Sequence, residues 1–83
     1  MNPVYFHIDY AILTENGTSY GETKMTTDFE AVKACAKEII ENNEIGHVHI
    51  KKYDPNVAEI WNRESIIYSK DAWSGVISLI GEL

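Results

Sequence analysis

The stretch VYFHIDYAILTENGT, residues 4–18, decides the fold. Its first ten residues alternate between two sets of side chains rich in aromatic and β-branched types, and a period of two predicts a β-strand. One face carries Val4, Phe6, Ile8, Tyr10 and Ile12, and the other carries Tyr5, His7, Asp9, Ala11 and Leu13. The Asn16-Gly17 pair that follows is typical of a two-residue type I′ turn, so the stretch predicts a β-hairpin.

A loop at Asn16-Gly17 also predicts how the two strands of the hairpin pair. Counting outward places Asp9 opposite Lys24, which is a favourable pair of opposite charges. The same count pairs Thr14 with Ser19, Leu13 with Tyr20, Ala11 with Glu22 and Ile8 with Met25. The second strand is predicted from Thr18 to Thr26, and its thin apolar face is typical of a sheet edge.

The middle of the chain predicts one amphipathic helix. Thr27 and Glu30 match a capping box, so the helix is expected to begin after Thr27 and to end at about Asn42 or Asn43. Its apolar residues form one stripe, which consists of Phe29, Val32, Ala36, Ile39 and Ile40. Asn43 or Gly46 is expected to adopt the left-handed conformation that closes the helix.

Further strands are predicted after the helix. The alternating segment Ile45–Tyr53 predicts a third strand, and Asp54-Pro55-Asn56 predicts a turn. A fourth strand is expected between Ala58 and Ser69, either as one strand with a bulge near Asn62-Arg63 or as two short strands. Residues 71–83 favour a short helix, although Gly75 and Gly81 weaken a helix and residues 76–80 also suit a strand.

These elements predict a single α+β domain over residues 1–83, in the order ββαββ with a C-terminal short helix. The long helix is expected to pack on one face of an antiparallel or mixed sheet. The other face would meet solvent, the C-terminal element or a partner.

The composition excludes several functions. The chain has 83 residues and a net charge of −6, from 13 acidic and 7 basic residues. This charge repels phosphate backbones, so no direct nucleic-acid binding is expected. The N-terminal residues lack the basic and apolar segments of a signal peptide, and no apolar run is long enough to span a membrane. A cytoplasmic location is therefore expected, which agrees with the lone Cys35.

Three histidines suggest a metal site. His47 and His49 share one face of the third strand, and His7 lies on the corresponding face of the first. If these strands are neighbours, His7, His47 and His49 converge, and three imidazoles suit zinc. Asp9 would be a fourth ligand or an orienting carboxylate, although its pairing with Lys24 is the simpler interpretation. No other cofactor is expected.

Two further groups suggest a protein-binding surface. Like charges lie at the C-terminal end of the helix, on Glu38, Glu41 and Glu44, where they oppose the helix macrodipole. Residues that are locally unfavourable to stability in this way can mark a functional surface. Tyr5, Tyr20 and Tyr53 are predicted on the sheet face opposite the apolar row, and exposed tyrosines suit interfaces. The alternatives are a solvated helix end and a second small core under the C-terminal element.

The first functional hypothesis is therefore a non-enzymatic interaction protein, since the sequence contains no glycine motif centred on a nucleophilic serine, no P-loop and no dinucleotide-binding motif. It would bind a basic protein surface, as a regulator or phage-type inhibitor that mimics nucleic-acid charge, and charge reversal of the three glutamates would abolish binding. The second hypothesis is a metal- or small-ligand-binding protein that uses the histidines. The third is a self-associating subunit, a homodimer that pairs through the C-terminal apolar segment or a free strand edge.

Overall fold

The computed structural model describes residues 1–83 and contains one α-helix and five β-strands. The elements are β1 (Tyr5–Thr14), β2 (Gly17–Glu22), α1 (Phe29–Asn42), β3 (Ile45–Tyr53), β4 (Glu64–Asp71) and β5 (Gly75–Ser78), with a 3-10 turn at Ile60–Asn62. The strands form one antiparallel sheet in the order β2-β1-β3-β4-β5. The predicted α+β fold with one long helix and one sheet is confirmed. The predicted ββαββ order with a C-terminal helix is wrong, because the chain adds a fifth strand.

The β1–β2 hairpin turns one residue earlier than the sequence predicts. Thr14 pairs with Gly17, so Glu15 and Asn16 form the loop. The Thr14 hydroxyl accepts a hydrogen bond from the Asn16 amide at 3.3 Å and donates one to the Gly17 carbonyl at 2.8 Å. Gly17 takes the positive φ of +116°, and Asn16 avoids the positive φ that a type I′ turn would impose on it.

The earlier turn displaces every predicted pair by two residues. The observed partners are Gly17 for Thr14, Thr18 for Leu13, Tyr20 for Ala11 and Glu22 for Asp9. The predicted pairing of Asp9 with Lys24 is therefore wrong, as are the other pairs counted from the same loop. Because a displacement of two preserves the side-chain period of a strand, Tyr20 and Glu22 of β2 stay on the predicted side of the sheet, the side that carries Ala11 and Asp9 of β1.

The second strand is shorter than predicted, since β2 ends at Glu22 and not at Thr26. Thr23 still donates its amide to the Ile8 carbonyl at 2.9 Å. Thr26 then forms an isolated bridge in which it exchanges two backbone hydrogen bonds with Phe6, at 2.8 and 2.9 Å. The chain therefore stays beside β1 until it enters the helix.

The helix α1 has nearly its predicted bounds, but its predicted N-cap is wrong. The Asp28 carboxylate, and not the Thr27 hydroxyl, accepts a hydrogen bond from the Ala31 amide, at 3.0 Å. The Thr26 hydroxyl accepts from the Asp28 amide at 3.1 Å and holds the residue in place. Asp and Thr are comparably good N-caps, so residue type alone does not distinguish them.

The helix also ends without the predicted left-handed residue. Asn43 is extended, with φ of −139°, and its side-chain amide donates to the Ile39 carbonyl at 3.0 Å. That side chain satisfies one of the free carbonyls of the last turn, so no left-handed cap is needed. Gly46 lies within β3, and its φ is not positive.

The predicted third strand is confirmed, with the same bounds as β3. The irregularity near Asn62-Arg63 marks the passage from the 3-10 turn into β4, and β4 carries its register shift further on, opposite Ile50 and Lys51. Residues 75–78 form a strand where a helix was predicted. Gly75, with φ of +77°, ends the turn after β4 and lets β5 return antiparallel to it.

The core lies between α1 and one face of the sheet. Ile8, Val48 and Ile50 of the sheet are fully buried, and Val32 and Ala36 of the helix pack against them. Burial of each large aliphatic side chain stabilises the fold by about 1.5–3 kcal/mol. The C-terminal residues Ile80 and Leu83 pack against this same core, so the interpretation that the C-terminal element builds a second core on the other face is wrong.

Candidate functional site

The sheet face opposite α1, called the open face below, carries most of the polar residues that the sequence analysis singles out. It consists of Tyr5, His7, Asp9, Ala11, Tyr20, Glu22, His47, His49, Lys51, Tyr53, Glu64, Ile66, Ser69, Asp71 and Ile77. The prediction that Tyr5, His7 and Asp9 face away from the helix is confirmed. Cross-strand pairing aligns the open face in rows, and one row crosses all five strands through Glu22, Asp9, His49, Ser69 and Ile77.

Two histidines and an aspartate meet at the centre of the open face. Asp9 on β1 lies directly opposite His49 on β3, and His47 lies two residues away on the same side of β3. His47 Nε2 is 3.5 Å from Asp9 Oδ1, and the two imidazole rings stack with centroids 4.5 Å apart. One ligand atom from each of the three residues lies within 4.8 Å of the others, and all three residues are half-buried. We call them the Asp-His-His cluster.

Opposite charges surround this cluster. Lys51 Nζ is 3.4 Å from Asp9 Oδ2 and 3.7 Å from Glu64 Oε1, and His49 Nε2 is 3.7 Å from Asp71 Oδ1. Burial alone would raise the pKa of the Asp9 carboxyl. Hydrogen bonds from His47 and Lys51 and the charge of Lys51 outweigh this effect, so the pKa of Asp9 lies below its ordinary value. Asp9 is therefore ionised at neutral pH.

The structure does not bring His7, the third predicted ligand, into the cluster. His7 is 7% exposed and faces Glu22 and Glu64 at 3.7 and 3.9 Å, which are distances too long for hydrogen bonds. Its Nε2 is buried and has no hydrogen-bond partner. His7 is therefore a separate buried polar group on the same face.

The three tyrosines lie on the open face, as predicted, but they do not form one patch. Tyr5 and Tyr53 lie directly opposite each other on β1 and β3, where both are half-buried. Tyr20 is exposed on the edge strand β2, opposite Ala11. Ala11 lies six positions after Tyr5 on β1, which corresponds to about 20 Å along the strand.

The three predicted glutamates lie on or next to α1 and not on the open face. Glu38 and Glu41 are exposed on α1, and Glu44 is exposed between α1 and β3. Since α1 packs on the core face, the glutamates of the helix and the tyrosines lie on opposite sides of the sheet. A flat partner surface therefore cannot contact both predicted groups at once.

An apolar group, which we call the β5 edge, lies at the end of the sheet, in the C-terminal apolar segment that the third hypothesis uses to pair two chains. This group consists of Trp73, Val76, Ile77 and Leu79, which are 95%, 55%, 66% and 79% exposed. As the last strand of the sheet, β5 has a neighbour on one side alone, so its other side presents unpaired backbone groups. The available sequence signal is that residues 72–81 contain no charged side chain.

Comparison with known proteins assigns no family. No family model matches the chain, and neither a curated protein nor a solved structure matches it. None of its helical segments has the length and apolar character that crossing a membrane requires.

Proposed function

We propose that this chain is a non-enzymatic protein-interaction module that binds a partner with a basic surface through the β5 edge. The observation that carries the proposal is the coincidence, on one strand, of a free backbone edge and exposed apolar side chains. Exposed apolar patches on small proteins mark interaction sites, because burial of apolar surface drives association.

Apart from its short length of 4 residues, the β5 edge lacks the usual protection of an edge strand. Natural edge strands are guarded by charged residues, prolines or bulges that prevent pairing with other chains. Residues 72–81 contain neither a charge nor a proline, and β5 pairs with β4 without a register shift. An extended segment of a partner could therefore add a sixth strand to the sheet by backbone hydrogen bonding.

Side chains on both faces of β5 would give such a contact its affinity. Ile77 projects from the open face, and Val76 lies on the α1 side, beside Lys37 and Leu83. Trp73 stands in the turn before the strand and is almost fully exposed. Tryptophan is enriched among the residues that dominate binding energy, because it buries a large area with little loss of entropy.

The charge of the chain favours a basic partner over a second copy. Two copies would each carry a net charge of −6 and would repel each other, whereas a basic surface is attracted at long range. Glu38, Glu41 and Glu44 contribute to this field from the other side of the sheet. A partner that uses its basic surface to hold nucleic acid would then be inhibited, because the acidic chain competes with phosphate for the same charges.

The proposal is tested by affinity capture from the native host with three versions of the protein. Ile77→Lys adds a charge to the β5 edge, and Ser74→Lys adds the same charge in the neighbouring exposed turn. The partner is expected to bind the wild type and Ser74→Lys, and to bind Ile77→Lys at least tenfold less. Equal retention by the two lysine variants would show that the β5 edge is not the binding surface.

Two further measurements test the role of charge in association and the choice of a basic partner over a second copy. Reversing Glu38, Glu41 and Glu44 to lysine is expected to slow association and to weaken its salt dependence without abolishing the complex, since these residues act at a distance. Analytical ultracentrifugation of the wild type is expected to show a monomer at low and at high salt. A dimer that Ile77→Lys abolishes would assign the β5 edge to a second copy and overturn the proposal of a basic partner.

A further inference from the structure

The Asp-His-His cluster is independent of the β5 edge, and the spacing of its donor atoms approaches that of a metal site. Zinc bonds of about 2.0–2.2 Å in a tetrahedron separate neighbouring donor atoms by about 3.4 Å. His47 Nε2 and Asp9 Oδ1 are already 3.5 Å apart. All three donor atoms of the cluster lie within 4.8 Å of one another. A pair at this upper limit would have to approach by about 1.4 Å, through side-chain rotation, to bind one zinc ion.

The donor set selects the kind of cation. Two imidazole nitrogens and one carboxylate oxygen suit zinc and its first-row neighbours, whereas magnesium and calcium prefer oxygen donors alone. His47, His49 and Asp9 come from two adjacent strands of a rigid sheet, so the backbone fixes their relative positions. Their half-buried state leaves room for a water molecule or a partner group at a fourth position.

The surroundings supply an orienting group. Histidine ligands usually donate their second ring nitrogen to a carboxylate, which fixes the ring and strengthens the ligand. Asp71 Oδ1 lies 3.7 Å from His49 Nε2, on the strand next to β3, so the two atoms would have to approach by about 0.5 Å to form this hydrogen bond. Asp71 is outside the group of mutually close donors, so its place is that of a positioning residue and not of a ligand.

The surroundings also contain a lysine that competes with a metal ion for the Asp9 carboxylate. Lys51 Nζ lies 3.4 Å from Asp9 Oδ2, and its positive charge opposes a cation at the same carboxylate. Glu64, at 3.7 Å from the same ammonium group, offers Lys51 a second partner when Asp9 is used by a metal. Metal binding therefore has to displace one ion pair, and removal of Lys51 should strengthen it.

We propose that Asp9, His47 and His49 bind a zinc-like divalent cation on the open face, with Asp71 orienting His49. The site differs from the set of three histidines that sequence predicts, because the β1–β3 register puts Asp9, and not His7, opposite His49. It requires no partner protein, so it stands or falls separately from the β5 edge.

The test uses the full chain, purified without a histidine tag and stripped with a chelator. Titration with zinc chloride in a calorimeter is expected to show one cation bound per chain. Cobalt chloride is expected to give the visible absorption of a tetrahedral site, and magnesium chloride is expected to give no binding. At a hundredfold excess over the dissociation constant, zinc is expected to raise Tm by on the order of 10 °C.

Variants distinguish this site from adventitious binding. Asp9→Asn and His49→Ala are each expected to lower zinc affinity at least tenfold, and Asp71→Asn to lower it about tenfold. Lys51→Met is expected to raise the affinity severalfold, which misfolding cannot produce. His7→Gln is the matched control, since it removes an imidazole from the same face, and it is expected to leave the affinity unchanged.

Three results would overturn the proposal. The first is the absence of saturable zinc binding by the wild type. The second is a loss with His7→Gln as large as that with His49→Ala, which would restore the set of three histidines. The third is weaker binding by Lys51→Met, which would show that Lys51 supports the site and does not compete with the metal.

Discussion

His7 is a buried residue whose polarity costs stability, and its replacement by leucine should stabilise the protein. The residue is 7% exposed, and its Nε2 has no hydrogen-bond partner. An unsatisfied buried polar atom costs about 1–3 kcal/mol. The contacts of His7 with Glu22 and Glu64 are 3.7 and 3.9 Å long, and both glutamate side chains are more than half exposed, so these contacts return less than about 1 kcal/mol.

His7→Leu removes the unpaired nitrogen and nearly preserves the volume of the side chain. We expect it to raise the free energy of unfolding by about 1 kcal/mol, which corresponds to a rise in Tm of about 4–8 °C for a domain of this size. The measurement is urea and thermal unfolding followed by circular dichroism, with the denaturant slope used to check that the unfolded state is unchanged.

His7→Ala is the matched control for this prediction. It also removes the nitrogen but leaves a cavity among buried neighbours, so it should stabilise less than leucine or destabilise the protein. If His7→Leu lowers the free energy of unfolding by about 1 kcal/mol or more, the imidazole is making favourable contacts that the structure does not contain, and the reasoning is refuted.

Three other predictions concern the turn, the helix start and the core. Gly17→Ala should destabilise the protein by about 1 kcal/mol or more, because alanine is strained at a φ of +116°, and chemical denaturation showing no loss would contradict this hairpin geometry. Asp28→Ala should cost about 1 kcal/mol in the same assay and Thr27→Ala less than about 0.5 kcal/mol, whereas the reverse order would restore Thr27 as the N-cap. Burial raises the pKa of the Tyr68 hydroxyl. The contribution of this group to the free energy of unfolding is therefore fully present below its ordinary pKa and is lost as pH rises through the folded-state pKa. As pH rises above about 10, the free energy of unfolding should therefore fall less for Tyr68→Phe than for the wild type. Equal decreases for the two proteins would be inconsistent with this burial.

The sequence could predict the elements whose signals are local. The period of two in β1 and β3 and the stripe along α1 each report the burial of a face, and burial is what the pattern encodes. The faces of Tyr5, His7 and Asp9 followed from that pattern. The turn lies one residue early and displaces the β1–β2 pairing by two residues, so the side chains of β2 stay on their predicted faces as well.

The C-terminal strand was missed because its sequence fits two periodicities. Residues 73–80 place apolar side chains at helical spacing, and the β-branched pair Val76 and Ile77 also suits a strand. The deciding interaction is non-local, since β5 forms by pairing with β4 after the turn that Gly75 closes. Short apolar runs of this kind cannot be assigned without the neighbouring strand.

Sequence predicts only part of the candidate metal site, because the rest of the site also depends on pairing between distant strands. Sequence indicates that His47 and His49 share a face, and the assumed adjacency of β1 and β3 is confirmed. Which residue of β1 lies opposite His49 depends on the register between strands that are far apart in the chain. A register displaced by two residues would place His7 there, and nothing local distinguishes the two arrangements.

Amide hydrogen exchange of the complex tests the central claim most directly, which is that a partner strand adds to the free side of β5. The outward amides within residues 75–78 should exchange rapidly in the isolated protein and become protected when the captured partner is bound, while those of α1 keep their rates. Protection limited to α1 and Glu44, with residues 75–78 unchanged, would place the partner on the helix side of the molecule and contradict the proposed function.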